Sequence, residues 1–286
     1  MISNKINNKF IETSKISFIL IAIFFSNLVY SQQTLPKWEF GLGPAFVSYP
    51  DYLGSSEQNS LVVPFPYIVY RGEEFSINQR EIKKPIFIGT KFELDLSLTG
   101  SIPVSSTENK KRSGMDDLDG SVGIGPVLRY RWFRDDRSQL QLELPMRAII
   151  ASDFKSIHQE GVVTAPGLYY SYRSAFSASK RVKVSTGLAA NFATAENHNY
   201  FYGVSSEDAL TDRPEYHTKG GFSGLSYHIG LNYHFDNFWL GAFWKTWDLS
   251  SAVFSESPLI ETKLSHIYGV TLSWNFMHSN KTVLGR

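Results

Sequence analysis

Long runs of alternating polarity are the feature that most constrains the fold of this chain. In KFELDLSLTG, residues 91–100, the apolar side chains are Phe92, Leu94, Leu96 and Leu98, and the charged ones are Lys91, Glu93 and Asp95. Successive side chains of a strand point to opposite faces, so the segment has one apolar face and one polar face. A soluble sandwich would bury the leucines in its core, whereas a membrane barrel would turn them towards lipid.

The same period of two recurs in residues 139–150, 182–192, 223–235 and 264–276. These runs are longer than the usual strand of a soluble protein and match the roughly 9–11 residues of a tilted membrane strand. No comparable helical periodicity accompanies them. The chain is therefore predicted to be all-β, and strand length favours a transmembrane antiparallel up-and-down β-barrel.

The connections support the barrel. Short ones at 134–138, 174–180 and 236–237 alternate with long polar ones at 104–118, 195–217 and 253–262. Outer-membrane barrels combine short periplasmic turns with long external loops, and aromatic residues gather at both membrane interfaces. Aromatic residues lie beside each short connection, at 130–133, 169–172 and 235–239. A sandwich gives no reason for that distribution.

The strand count is ambiguous between residues 61 and 103. Eleven runs are clear, but a barrel with both ends in the periplasm needs an even number. Pro64 and Pro66 have no backbone N–H to donate to a neighbouring strand, which is unfavourable in the interior of a sheet. We expect residues 86–103 to hold a short strand, a tight turn and a longer strand. Twelve strands is the predicted count, and ten is the alternative.

The N-terminus predicts the compartment. Three lysines precede the apolar run ISFILIAIFFSNLVYS, and small residues near Ser31 suit a cleavage site. This layout is that of a secretory signal peptide, residues 1–31, with an N-terminal membrane anchor as the alternative. We accordingly expect a barrel at 32–277 and a short C-terminal tail at 278–286, exported to a Gram-negative type of outer membrane.

Composition excludes several classes of function. The formal net charge of +1 provides no field for nucleic acid. The absence of cysteine excludes disulfides, thiolate catalysis and Cys-ligated metal. Charged residues amount to 19%, below the usual quarter, and aromatics to 15%, which suits a chain with much apolar surface.

Few residues suggest a catalytic or metal site. His228 and His234 share a face, but six residues along a strand separate them by roughly 20 Å, too far to share one ion. His266 lies on a different strand. His278 and Ser279 invite comparison with a hydrolase, but they follow the last run, where no third group is evident.

Polar motifs in the middle of the chain have plain structural interpretations. Asp116, Asp117 and Asp119 lack the closing Glu of an EF-hand, so a solvated loop is favoured. The Gly-Ile-Gly at 123–125 lacks the context of a phosphate loop. The basic run at 110–112 could meet lipopolysaccharide.

No catalytic, cofactor-binding or metal residues are therefore predicted. Charged inward residues could close the lumen with ion pairs or line a narrow pore; they are Lys91, Glu93, Asp95, Arg129, Arg131, Glu143, Arg147 and Lys183.

Several motifs resemble the MipA/OmpV family of outer-membrane proteins. The segment 38–77 matches its Gly-x-Gly strand, Tyr-x-Gly-Ser loop and Pro-x-Pro-x-x-x-Tyr strand at Gly41, Gly43, Tyr52, Gly54, Ser55, Pro64, Pro66, Tyr70 and Gly72. Residues 114–130 resemble its acidic loop and Gly-rich strand. YFYGVSSEDA (200–209) resembles its Tyr-Tyr-Gly-Val segment, with a helical stretch expected after it, and SESPLI (255–260) resembles its Ser-Pro motif.

The resemblance implies an outer-membrane barrel without catalytic residues. The family's named member is a scaffold linking a murein-degrading lytic transglycosylase to a murein-synthesising penicillin-binding protein. We therefore expect a non-enzymatic scaffold in contact with outer-membrane lipids and lipopolysaccharide. A narrow porin-like channel for small solutes is the alternative, and an outer-membrane lipid hydrolase is a third hypothesis.

Overall fold

The computed structural model describes residues 34–284, except residues 80, 102, 108, 154 and 178. The predicted signal peptide lies outside the described residues. Over the described residues the chain forms fifteen strands and one helix: β1 (Thr34–Pro36), β2 (Trp38–Pro50), β3 (Gln58–Arg71), β4 (Ser76–Ile77), β5 (Ile82–Ile88), β6 (Phe92–Ser101), β7 (Gly120–Arg134), β8 (Ser138–Ser152), β9 (Ile157–Thr164), β10 (Gly167–Ser177), β11 (Lys180–Ala193), α1 (Ala195–Tyr202), β12 (Gly221–Phe235), β13 (Phe238–Asp248), β14 (Leu264–His278) and β15 (Thr282–Leu284).

Strands β2 to β14 form one antiparallel sheet that closes on itself, because β14 pairs with β2. Strands β9 and β10 are two halves of one wall strand, since both pair with β8 and both pair with β11. They are separated at residues 165 and 166, the second of which is a proline without a ladder donor. The wall therefore has twelve strand positions, which confirms the predicted antiparallel barrel.

The ambiguous region between residues 61 and 103 contains two short wall strands. Strand β4 has two residues and β5 has seven. A tight turn joins β5 to β6, where the Gly89 amide donates to the carbonyl of Phe92 at 2.8 Å. The predicted order of short strand, tight turn and longer strand is therefore present, with β5 starting at Ile82 rather than near residue 86. Within the described barrel wall, β4 and β5 are too short to cross a bilayer.

Contacts between strands that are not neighbours identify the inside of the barrel. Phe65 on β3 stacks on Trp239 of β13, with ring centroids 5.9 Å apart. Asp95 and Ser97 on β6 are fully buried, whereas Phe92 is 49% exposed. Strand alternation therefore directs the apolar face of KFELDLSLTG outwards and its acidic face into the lumen, as the barrel interpretation predicts.

The start of β2 and the end of β14 lie at the end of the barrel that carries the short turns, since His278 at the end of β14 faces Glu39 at the start of β2. By the rule for outer-membrane barrels, this is the periplasmic end. The C-terminal residues, expected to form a short tail, add structure there, because Thr282–Leu284 pairs with Thr34–Pro36 as a separate two-stranded sheet.

The helix α1 belongs to the opposite, external end. The helical stretch expected after the Tyr-Tyr-Gly-Val segment instead ends inside that segment, because α1 includes residues 200–202. The helix ends at Gly203, whose amide donates to the carbonyl of Asn199. Among the described residues, no helix is long and apolar enough to cross a membrane.

Glycine at position 43 allows the closing strands to approach. A Cβ there would overlap the carbonyl of Leu272 on β14. The Gly-x-Gly pattern near the N-terminus therefore has a packing reason at the line where β2 and β14 close the barrel.

Candidate functional site

The lumen wall formed by β5 to β8 carries a buried cluster of ion pairs. Arg129 is 4% exposed and contacts Asp95, which is fully buried. The Arg129 guanidinium also lies 2.8 Å from a carboxylate oxygen of Glu81 and 3.6 Å from one of Glu143. Removing such charges from water is costly, so the cluster is stable only with its partners in place.

The cluster extends to the next pair along the same wall. Lys83 on β5 lies 2.6 Å from Glu93 on β6, and Arg131 lies 3.8 Å from the same carboxylate. Arg147 on β8 donates to the hydroxyl of Ser97 at 3.0 Å. Of the inward residues predicted to close the lumen or line a pore, the central ones therefore pair with one another along this wall. Lys91 instead lies in the turn before β6 and is exposed.

A second group of contacts crosses the lumen near the periplasmic end. Glu39 on β2 lies 2.6 Å from Arg71 on β3 and 3.7 Å from Arg181 on β11. Tyr67 hydrogen-bonds to His234 on β12 at 2.9 Å. Together with the stacked pair of Phe65 and Trp239, these residues form what we call the lumen plug. They connect strands that are not neighbours in the wall, and therefore place side-chain contacts across part of the lumen.

The external loops pack into a single structure over the other mouth. Loops 51–57, 103–119, 194–220 and 249–263 share a buried apolar core; its fully or nearly buried members are Tyr52, Leu118, Tyr202, Val204, Leu249, Ala252, Phe254 and Leu259. The rings of Tyr202 and Phe254 stack with centroids 3.7 Å apart. We call this structure the loop cap.

Buried polar groups join the loops of the cap. The Tyr52 hydroxyl donates to the carbonyl of Leu259 at 2.7 Å, and the Ser257 hydroxyl donates to that of Tyr202 at 2.7 Å. Arg112 donates to the carbonyl of Phe201 at 3.2 Å. The Tyr-x-Gly-Ser loop, the Tyr-Gly-Val segment and the Ser-Pro motif therefore meet in space, although they are far apart in sequence.

Two basic residues and one histidine hold the cap from inside. Arg213 donates to the carbonyls of Lys111 and Ser113 at 2.7 and 3.0 Å. Burial lowers the pKa of Arg112. Burial also lowers the pKa of His198, against the opposing effect of its hydrogen bond to the Lys219 carbonyl at 2.7 Å. Because its environment favours the neutral ring, His198 is a packing residue of the cap at neutral pH.

The periplasmic rim carries a cleft of about 290 Å³. Its lining mixes both charges with apolar side chains: Lys37, Tyr70, Arg71, Glu73, Glu74, Phe75 and Val283. The Tyr70 and Phe75 rings stack with centroids 4.6 Å apart. Val283 belongs to β15, so the two-stranded sheet of the chain ends forms part of the cleft.

The structure separates the three histidines considered as metal ligands. His228 and His234 lie on the lumen face of β12, and His234 belongs to the lumen plug. His266 packs against Trp244 on the outward parity of β14. No cluster of three or more His, Asp or Glu side chains suited to a metal occurs within the described ranges.

The two residues considered for a hydrolase, His278 and Ser279, have separate environments. Ser279 is 8% exposed, and its hydroxyl donates to the carbonyl of Lys281 at 2.9 Å. His278 is exposed at the end of β14. The two side chains share no hydrogen bond in the described part of the chain, and the Ser279 amide is bonded to Trp38.

The acidic and basic motifs of the middle loop serve the cap. Asp117 accepts from the Ser106 amide at 2.6 Å, and Tyr200 accepts from the Asp119 amide at 2.7 Å. The Lys110 side chain is 93% exposed, but Arg112 is buried. The basic run 110–112 is therefore no continuous surface patch, and its buried member had no distinguishing signal in the sequence.

Comparison with known proteins gives one family and a set of distant folds. The family model described as "MltA-interacting protein MipA" matches residues 42–276. No curated protein sequence matches the chain.

Three of the solved structures that match the chain have low sequence identity and low TM-scores. The NanC porin is 9% identical, with 82% of this chain and 98% of that chain covered and a TM-score of 0.34. The CymD monoaromatic hydrocarbon channel is 12% identical, with 87% and 90% covered and a TM-score of 0.34. Outer membrane phospholipase A from Escherichia coli is 10% identical, with 85% and 94% covered and a TM-score of 0.29.

Proposed function

This chain belongs to the MipA family, and on that premise we propose that it is a non-enzymatic outer-membrane scaffold whose periplasmic rim binds a murein-remodelling enzyme. The family description names an interaction with MltA, and the resemblance noted in the sequence implies a lytic transglycosylase and a penicillin-binding protein as partners. Export by a signal peptide at residues 1–31 is part of the same proposal.

The observation that carries the proposal is the lumen plug. Glu39 contacts Arg71 on the neighbouring strand and Arg181 on β11, so a buried carboxylate joins two strands across part of the lumen. The external mouth carries the loop cap, which makes the periplasmic rim the surface that we assign to a protein partner. A scaffold requires no solute path, whereas a channel does.

The rim cleft supports the periplasmic end as the binding surface. Its stacked Tyr70 and Phe75 provide an apolar contact, and the acidic pair Glu73 and Glu74 lies beside it. Aromatic residues surrounded by charged ones are typical of the central contacts of protein interfaces. A folded enzyme anchored near the membrane could reach this surface directly.

The test is capture of a lytic transglycosylase by the purified barrel. We expect Glu73→Lys/Glu74→Lys to weaken retention of the enzyme strongly, because reversal of two charges beside an apolar contact introduces repulsion at the interface. Lys110→Glu on the loop cap is the matched control and should retain the enzyme as the unaltered chain does. Equal retention by all three proteins would place the contact elsewhere, and no retention by the unaltered chain would refute the scaffold.

The channel hypothesis is tested by planar-bilayer recording of the same preparation. The plug predicts no steady conductance in the unaltered chain. A stable conductance, or flux of small solutes into vesicles, would favour the channel over the scaffold.

A further inference from the structure

The barrel wall has an opening between β3 and β6. Strand β4 pairs with β3 only at Tyr70 and Arg71, and β5 pairs with β6 only up to Leu98. Among the described residues, no strand pairs with residues 58–69 of β3 on that side. We call this gap the wall opening.

Its borders are well defined by contacts. Glu81, directly before β5, lies at the periplasmic edge and is fixed by its ion pair with Arg129. The loop after β6 crosses the external edge, where the Asn109 side chain donates to Asp51 at 2.6 Å. Both faces of β3 are exposed at residues 58–62, as expected for a strand with a free edge.

Two prolines keep this edge unpaired. Pro64 faces Pro44 across the ladder between β3 and β2. Neither residue can donate, so this position is a non-hydrogen-bonded pair, and the nitrogen of Pro64 points to the wall opening. Pro66 has the same parity. An added strand would meet two missing donors in succession, which argues against a protein strand as the occupant.

The lumen behind the wall opening has two unlike sides. On the β3 side, Leu61, Val63 and Phe65 follow one another on the inward parity, and Phe243 on β13 is 46% exposed. On the β6 side lie the buried charges of the Arg129 cluster. A molecule entering here would meet an apolar wall and a polar wall together, which suits an amphiphile.

The outer side of the wall opening faces the bilayer. Val62 and Ile68 on the outward parity of β3 are 71% and 42% exposed, within the apolar belt. Lys84 lies at the periplasmic edge, exposed and on the outward parity, opposite Leu96. A cation is costly on a lipid-facing surface unless it reaches polar groups of lipid.

From these observations we propose that the wall opening admits an acyl chain of a phosphate-bearing membrane lipid into the upper lumen, with Lys84 near its headgroup. The hydrocarbon phase onto which the opening faces contains lipid chains, and the apolar and polar inward residues on its two sides match the two parts of such a molecule. This site is distinct from the periplasmic rim, and its occupancy does not depend on a protein partner.

The absence of cysteine from the chain permits a direct test with single-cysteine variants. Leu61→Cys and Thr99→Cys place a fluorophore on the inward parity at either side of the wall opening. Ala189→Cys places the fluorophore on the inward parity of β11. This position lies in a closed part of the wall, because Ala189 pairs with Gly167 of β10 on one side and with Ser226 of β12 on the other. Leu272→Cys provides the outward reference. Each protein is placed in phosphatidylcholine vesicles with and without lipid that carries a nitroxide at mid-chain.

We expect quenching at Leu61 and Thr99 to be several-fold stronger than at Ala189 and to approach that at Leu272. Quenching at both positions as weak as at Ala189, with Leu272 strongly quenched, would overturn the proposal. A change of gel mobility on heating shows that each variant is folded. Because the two reporters lie on different strands, the test can still be made if one of the two variants does not fold.

The role of a phosphate-bearing lipid has a separate readout. Addition of phosphatidylglycerol with the same mid-chain nitroxide should increase quenching at Leu61, and Lys84→Met should abolish the increase. An increase that is identical in the Lys84→Met protein, or no increase in either, would remove Lys84 from the proposal and refute headgroup recognition there.

Discussion

Leu128 lies at the middle of β7 with its side chain on the outward face, 37% exposed. It is a better probe of lipid contact than Leu96, because Leu96 pairs with Lys84 and already has a cation beside it. The wall on both sides of Leu128 is paired, so a substitution there tests the bilayer alone.

We expect Leu128→Arg to lower the free energy of unfolding in lipid vesicles by about 2–4 kcal/mol, the cost of an arginine near the bilayer midplane. Leu264→Arg at the external end of β14, where the residue is 53% exposed, should cost about 0–1 kcal/mol. Denaturant titration followed by tryptophan fluorescence measures both. Similar costs at the two positions would contradict the assigned depth.

His198 makes the loop cap sensitive to pH. Its folded pKa is below the ordinary value because of burial, so the unfolded cap binds a proton more readily than the folded cap does. The contribution of His198 to cap stability is therefore complete above the ordinary histidine pKa of about 6.5 and falls as the pH is lowered towards its folded pKa.

As the pH is lowered from neutral to about 5, amide hydrogen exchange in residues 249–263, corrected for intrinsic rates, should accordingly become faster. His198→Gln should remove most of this dependence, since glutamine does not titrate there. His217 is exposed and provides a control, because His217→Gln should leave the dependence unchanged. A pH profile that His198→Gln does not alter would assign the effect to other groups.

At the scale of elements, β3 combines a paired edge and an unpaired one. Its pairing with β2 is continuous from Gln58 to Arg71, whereas its other edge is paired only at the last two residues. Unpaired edges are the usual sites of association between sheets, and proline is one of the residues that prevents it.

The double substitution Pro64→Val/Pro66→Val should therefore promote association of two copies through β3, because it restores two donors to the free edge. Light scattering after size-exclusion chromatography in detergent should show a larger dimer fraction. Pro126→Val, on the outward face of β7 and opposite Leu96 of β6, is the matched control and should remain monomeric like the unaltered chain. A dimer fraction unchanged by the double substitution would indicate that the missing N–H donors are not what prevents a second copy from pairing with the free edge of β3.

At the scale of the whole molecule, alternation in sequence was sufficient for the wall and for its orientation. The parity of Phe92, Leu94, Leu96 and Leu98 predicted the lipid-facing side, and Asp95 is buried in the lumen as that parity requires. Period-two patterning is a local property, so local sequence contains it. The strand count needed only the inference of a tight turn before β6.

The loop cap and the wall opening could not be predicted from the alternation of polar and apolar residues. Tyr52 meets Leu259, and Arg112 meets Phe201, through contacts that join distant parts of the chain. The sequence alone does not distinguish a buried basic residue from a solvated one, and the basic run at 110–112 contains both, Arg112 and Lys110. The wall opening depends on how few residues of β4 pair, which is a matter of register rather than polarity.

The line where β14 meets β2 has a consequence for the order of folding. Its pairs, such as His278 with Glu39, join residues from opposite ends of the chain. Contacts of such long sequence separation are entropically costly to form first, so wall closure should be the last step of assembly. The pairing of β1 with β15 brings the two ends together just beyond that line. The wall is therefore expected to close only after β14 and the residues that follow it are available for pairing.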